Sequence, residues 1–201
     1  MIPSEAFQPI IDELHRQSLG INEYRKRTGS GRSQAFAIVG KRSMPPDYSR
    51  QCWKRPYLFK LLLDFGEKYV DIPYNAITLN ENYLAGPHYD KNNVGESFLV
   101  AFGTYSGGEL VIHEGDLSGE HNICYKPIIT DFSKVLHSVK PFVGERFSLV
   151  YYMYDDPRWE CNVPPPSVKK VGNEWVFYRG DQPIDKKKGL PHPLHGLKRK
   201  N

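Results

Sequence analysis

The segment His88-Tyr89-Asp90 places an imidazole and a carboxylate two residues apart. In an extended chain residues i and i+2 face the same side, so both groups can converge on one point while Tyr89 turns away. They are two of the three ligands of a 2-His-1-carboxylate facial triad, which leaves coordination positions open on a non-haem Fe(II). The third ligand must be a histidine from a distant strand. His137, forty-seven residues beyond Asp90, and His113 compete for that place. The residue nine positions further on separates them. An oxygenase that uses 2-oxoglutarate needs a cation for the far carboxylate of that acid, and a planar guanidinium grips it with two parallel hydrogen bonds. Arg146 stands nine after His137, whereas Asn122 stands nine after His113. His88, Asp90 and His137 are therefore the expected metal ligands and Arg146 the expected co-substrate anchor, with Fe(II), 2-oxoglutarate and O2 as the cofactor set. His113 reads as a surface or supporting histidine, as do His15, His121, His192 and His195.

Such a site needs a β scaffold, and the chain supplies one after a helical start. Residues 5–19 carry Phe7, Ile10, Ile11 and Leu14 at the three/four period of an amphipathic helix, with Ser4 as N-cap and Gly20 as stop. Thr28-Gly-Ser-Gly-Arg32 reads as a turn and Gln34–Val39 as a short strand, ended by Pro45-Pro46. Tyr57–Tyr69 reads as a second helix, with Pro56 where a first turn tolerates it. Eight strand candidates follow: Ala76–Asn80, Pro87–Asp90, Ser97–Phe102, Gly108–His113, Ile123–Tyr125, Ile128–Thr130, Val135–Val139 and Phe147–Met153. That texture predicts an α+β, mainly β fold: a double-stranded β-helix, or jelly roll, with the N-terminal helices packed on it. One oxygenase domain is expected over 1–160, helical and basic to residue 70 and jelly roll from 71 to 160. A basic extension rich in proline and lysine then runs over 161–201, with Trp175–Tyr178 as one further edge strand. Its stretch from Lys186 to Asn201 reads as disordered or ordered only on a partner.

At 201 residues the chain suits a single core. It holds no apolar run long enough to cross a bilayer and no basic-then-apolar leader, so an intracellular location is expected, nuclear in a eukaryote. Cys52, Cys124 and Cys161 are too few and too scattered for a disulfide framework or a zinc knuckle. Charge is segregated: residues 14–60 hold eleven Lys/Arg against two acids, 61–160 seven against fifteen, and 161–201 nine against three. Basic flanks around an acidic middle are the footprint of a polyanion partner, or equally a solvated surface. Phe36, Tyr48 and Trp53, set among cations, suit either base stacking or core packing.

The run PHYDKNNVGESFLVAFGTYSGGELVIH, with LNENY before it and LHSVKPFVGERFSLVYY after it, resembles the TET/JBP-type 2-oxoglutarate/Fe(II) oxygenases, which oxidise the methyl group of 5-methylcytosine or thymine in nucleic acid. GRSQAFAIVGKR and PDYSRQCWKRPYLFKLL resemble the basic lead-in of those proteins, so the likeness spans about residues 30–155. The resemblance implies His88, Asp90 and His137 on iron and Arg146 on 2-oxoglutarate. It further implies Asn80 as a co-substrate contact and Asn82 as a substrate contact. Asn92 and Asn93 would meet a base edge, although turn chemistry explains an Asn-Asn pair equally well. Nucleic acid is the implied partner, DNA ahead of RNA, with no membrane and no protein partner indicated. The cysteine-rich region of animal TET proteins and the accessory DNA-reading domain of JBP are absent from this sequence. Hydroxylation of a protein side chain or a small metabolite is the alternative activity.

Overall fold

The computed structural model describes residues 1–20, 29–39, 47–158 and 164–184. A 3-10 turn (Ser4–Ala6) leads into α1 (Gln8–Arg16), and α2 (Arg50–Lys54) and α3 (Pro56–Tyr69) follow β1 (Gly29–Val39) and β2 (Asp47–Tyr48). The main sheet runs in the order β2-β1-β3-β9-β4-β7, with β3 Ala76–Ala85, β4 Asn93–Gly107, β7 Ile128–Thr130 and β9 Phe142–Tyr154. A smaller sheet joins β6 (Gly119–His121), β5 (Leu110–Ile112) and β8 (His137–Val139). Among the described residues the named strands pair antiparallel, with one parallel bridge between Ala101 and Cys124, and the expected mainly β jelly roll with helices packed on it is the fold observed.

Period-two alternation sorts each central strand between two faces. On β9, Phe147, Leu149 and Tyr151 join Phe7, Ile10, Leu14, Leu58, Phe59, Leu62 and Phe65 of the helices in the main core. Phe7 sits at its centre, with its ring centroid 4.6 Å from that of Phe102 and 4.9 Å from that of Phe65. Arg146, Ser148, Val150 and Tyr152 face the other way, toward the smaller sheet. There Leu99, Ala101, Leu110, Ile112, Ile123 and Phe132 close the space between the sheets. A one-residue slip of β9 would swap these two sets and destroy core and cavity together.

Several local expectations are corrected. The glycine-rich Thr28–Arg32 segment is strand from Gly29 onward, paired with the end of β3. Its register shifts between Ser30 and Arg32, at Gly31 (φ +120) and opposite Asn82 (φ +49). The bulge explains the glycines: at Gly31 a Cβ would collide with the Asn82 carbonyl. Ser4 makes no side-chain cap, and α1 ends at Arg16 rather than Gly20. Pro87–Asp90 is a single bridge at His88, and Ile123–Tyr125 a single bridge at Cys124. After the three prolines the chain forms a further antiparallel sheet, β10 (Ser167–Val171), β11 (Glu174–Arg179) and β12 (Gln182–Ile184). Gly172 (φ +60) makes the β10–β11 turn, a signal beside Asn173 that the sequence reading passed over. This sheet sends Val168 and Phe177 into the main core, with Phe177 4.3 Å from Trp53 between ring centroids. Phe36 and Tyr48 are buried and Trp53 is packed against the core, so packing, not base stacking, accounts for these aromatics. The lysine-rich 186–201, Cys161, His192 and His195 lie outside the described residues.

Candidate metal centre

His88, Asp90 and His137 come together: one ligand atom from each lies within 4.8 Å of the others. A two-way backbone bridge fixes the histidines, with His88 N donating to His137 O (3.0 Å) and His137 N to His88 O (3.1 Å). Their ring centroids are 4.3 Å apart. Each Nδ1 lies against a carbonyl two residues earlier, His88 on Gly86 (2.8 Å) and His137 on Val135 (3.0 Å). A carbonyl only accepts, so Nδ1 carries the proton and Nε2 keeps its lone pair for a metal. Burial pulls the His137 pKa down, against the pull of Asp90 upward, which favours the neutral ligand form. Asp90 turns Oδ1 to within 3.6 Å of His88 Nε2, while Asn93 Nδ2 donates to Oδ2 (3.3 Å) and to Ser97 Oγ (3.2 Å). Two imidazole nitrogens and one carboxylate oxygen in this arrangement suit a ferrous ion.

The same cleft, about 620 Å³ with its open mouth, is lined by all three residues and by Asn80, Asn93, Arg146 and Ser148. Arg146 is 2% exposed, and its Nε and Nη2 have no hydrogen-bond partner. Burial lowers its pKa from the ordinary arginine value, but a guanidinium stays charged. A buried cation with two idle donors is costly unless an anion completes it. That deficit in the wall of the cleft is what a dicarboxylate would supply. Asn80 Nδ2 donates to Ser148 Oγ (3.0 Å), leaving its Oδ1 without a partner.

The remaining expected residues are placed as follows. Asn82 is exposed on the bulge and outside the cleft lining, and its Oδ1 accepts from Arg146 N (2.8 Å). Asn92 is exposed in the turn after Asp90, and its carbonyl accepts from Asp155 N (3.2 Å). Asn93 is buried and holds Asp90, as described above. His113 sits outside the triad with Nε2 2.9 Å from Ser138 Oγ. His15 pairs with Glu145 (2.7 Å), and His121 lies 2.6 Å from the Leu117 carbonyl.

Sequence reasoning missed several supporting groups. Ser148 could have been found from alternation, two residues beyond Arg146 on the same face. Tyr83 lines the cleft three residues after Asn80, a spacing that an unbulged strand would send to opposite faces. Glu114 Oε1 accepts from Tyr89 Oη (2.6 Å) and from Leu136 N (2.8 Å), joining the turn that carries His88 and Asp90 to the residue before His137. Only tertiary structure brings those three segments together.

No known protein-family model and no curated protein matches the sequence. Among solved structures, NgTET1 in complex with 5mC DNA is similar at 16% identity and a TM-score of 0.52, over 77% of this chain and 69% of that one. A 2OG-Fe(II) oxygenase family oxidoreductase from Burkholderia pseudomallei is 18% identical with a TM-score of 0.44, over 71% and 74%. A Pseudomonas putida prolyl-4-hydroxylase is 14% identical with a TM-score of 0.48, over 77% and 89%. At 16% identity the likeness to NgTET1 is one of fold.

Proposed function

We propose that this chain is a 2-oxoglutarate- and Fe(II)-dependent dioxygenase that hydroxylates the methyl group of a methyl-bearing pyrimidine, 5-methylcytosine or thymine, in nucleic acid. The observation that carries the oxygenase reading is the shared cleft: three converging ligand atoms, and a buried guanidinium with idle donors, in one cavity. Bound iron and 2-oxoglutarate, with O2, supply the oxidising power for turning a C–H into a C–OH, and leave succinate and CO2. His88, Asp90 and His137 would hold the metal on one side and leave the cleft side open. Arg146 would grip the far carboxylate of the co-substrate, with Asn80 and Ser148 beside it. Leu99, Leu110, Phe132, Val139 and Val150 keep the lining apolar and limit water around the reacting bond.

The nucleic-acid part draws support from the TET/JBP-like sequence run, from the segregated basic flanks, and from the fold likeness to a protein solved on 5mC DNA. Exposed Arg50, Lys54 and Lys91 are available to phosphates, the last directly after the ligand Asp90. A base in a duplex would have to leave its stack to enter the cleft. Asn92, two residues beyond Asp90, offers an exposed carboxamide for a base edge. One observation favours the second reading, a protein side chain or small metabolite as substrate. Arg32 bonds Glu81 and Ser18, and Arg55 bonds the carbonyls of Gln17 and Ser18, so both serve the fold.

Incubation with Fe(II), 2-oxoglutarate and a panel of methylated DNA and RNA, then digestion and nucleoside mass spectrometry, tests the substrate. Hydroxymethyl pyrimidine is the expected product. Succinate formed without any oxidised base would transfer the proposal to the second reading.

A further inference from the structure

Arg146 does not stand alone in its wall of the cleft. Its guanidinium carbon lies 5.4 Å from the ring centre of Tyr105 and 5.6 Å from that of Phe142, two rings in edge contact with their centres 6.3 Å apart. On the remaining side Gly108 backs the side chain: a Cβ there would lie 2.9 Å from Nε and 3.0 Å from Cδ. Two aromatic rings and a bare backbone thus confine a long, flexible side chain. The donors not used by this confinement are Nε and Nη2, an edge able to meet a carboxylate with two parallel bonds.

We infer that Tyr105 is a positioning residue for the co-substrate, which aims the free Nε/Nη2 edge of Arg146 into the cleft and so sets the preference for a keto acid with a second carboxylate. Confinement between the two rings and Gly108 lowers the entropy that Arg146 would lose on binding and restricts which edge it offers. The inference rests on the 2-oxoglutarate reading of the cleft, and its consequence is specific: the far-carboxylate end is affected and the metal end is not.

The test is calorimetric titration of the full chain, loaded with Mn(II) so that no turnover occurs, with 2-oxoglutarate and, separately, pyruvate, which lacks the far carboxylate. In Tyr105→Leu, which removes the ring, 2-oxoglutarate affinity is expected to fall about tenfold, the scale of one lost cation–π contact and one side chain left free to move. Pyruvate affinity should stay within twofold. Tyr105→Phe, which keeps the ring, should stay within twofold of wild type for both acids; if Tyr105→Leu fails to fold, Tyr105→Met decides in its place. An unchanged ratio of the two affinities in the folded ring-removing variant, or an equal loss for both acids, overturns the inference while leaving the co-substrate reading intact. A wild-type chain that does not prefer 2-oxoglutarate to pyruvate overturns both.

Discussion

At the scale of single residues the cleft is built to be incomplete. Arg146 is buried with idle donors, so in the unliganded fold only the rings of Tyr105 and Phe142 offset its desolvation. Arg146→Met, similar in length and apolar, should leave the ligand-free melting temperature unchanged or raised, yet abolish the stabilisation that 2-oxoglutarate gives. Thermal melts with and without the acid read both effects. Arg146→Lys should keep the charge but lose the two-bond grip, weakening 2-oxoglutarate binding on the order of 100-fold. A second expectation concerns pH. The His137 pKa is lowered by burial, so in the metal-free protein the unfolded chain takes up a proton before the folded one does. Stability from this group is complete above the ordinary histidine value of about 6.5 and declines as pH falls from there toward the folded pKa. Below the folded value it levels off. Denaturant unfolding of metal-free protein across this range should show the decline, and His137→Gln should remove its part of it.

At the scale of elements, what must be held is the meeting of one turn and one short strand. The His88–His137 bridge does most of this, and the Glu114 carboxylate adds a tie from Tyr89 to Leu136. Groups that orient ligands in this way are worth about 10–100-fold in metal affinity, and an exposed one falls at the low end. Glu114→Ala should therefore weaken Co(II) binding roughly tenfold while leaving the fold intact, read by the visible spectrum of the bound ion. The candidate ligands were legible in the sequence because their logic is local: a two-residue spacing beside a single bridge, and a nine-residue step from His137 to Arg146 across one turn. The Glu114 tie was not legible, since it joins three segments that only the smaller sheet brings together. The β1–β3 bulge was misread for a related reason. Glycines at 29 and 31 suggest a turn locally, and only the crowding carbonyls of β3 show why a paired strand needs them.

At the scale of the whole molecule, the helices, the main sheet and the C-terminal sheet share one core, with the cleft on the opposite face of the main sheet. Phe177 lies 4.3 Å from Trp53 and 6.0 Å from Phe59 between ring centres, far along the chain from both. Phe177→Ala should cost about 3–5 kcal/mol and lower the melting temperature without touching the cleft chemistry. The jelly roll could be read from its strand count and alternation, whereas of the C-terminal sheet only Trp175–Tyr178 was legible, as an edge strand where the structure makes it the central one, its two partners being hidden by a proline run and a charged composition. Among the described residues no helix is long and apolar enough to cross a membrane. The central claim, that His88, Asp90 and His137 hold a ferrous ion beside a 2-oxoglutarate gripped by Arg146, has one direct measurement. Anaerobic addition of Fe(II) and then 2-oxoglutarate should give a visible charge-transfer band in the wild-type protein. That band should vanish in His137→Ala and require far more 2-oxoglutarate in Arg146→Lys. No band in the wild type, or an undiminished band in His137→Ala, would contradict the claim.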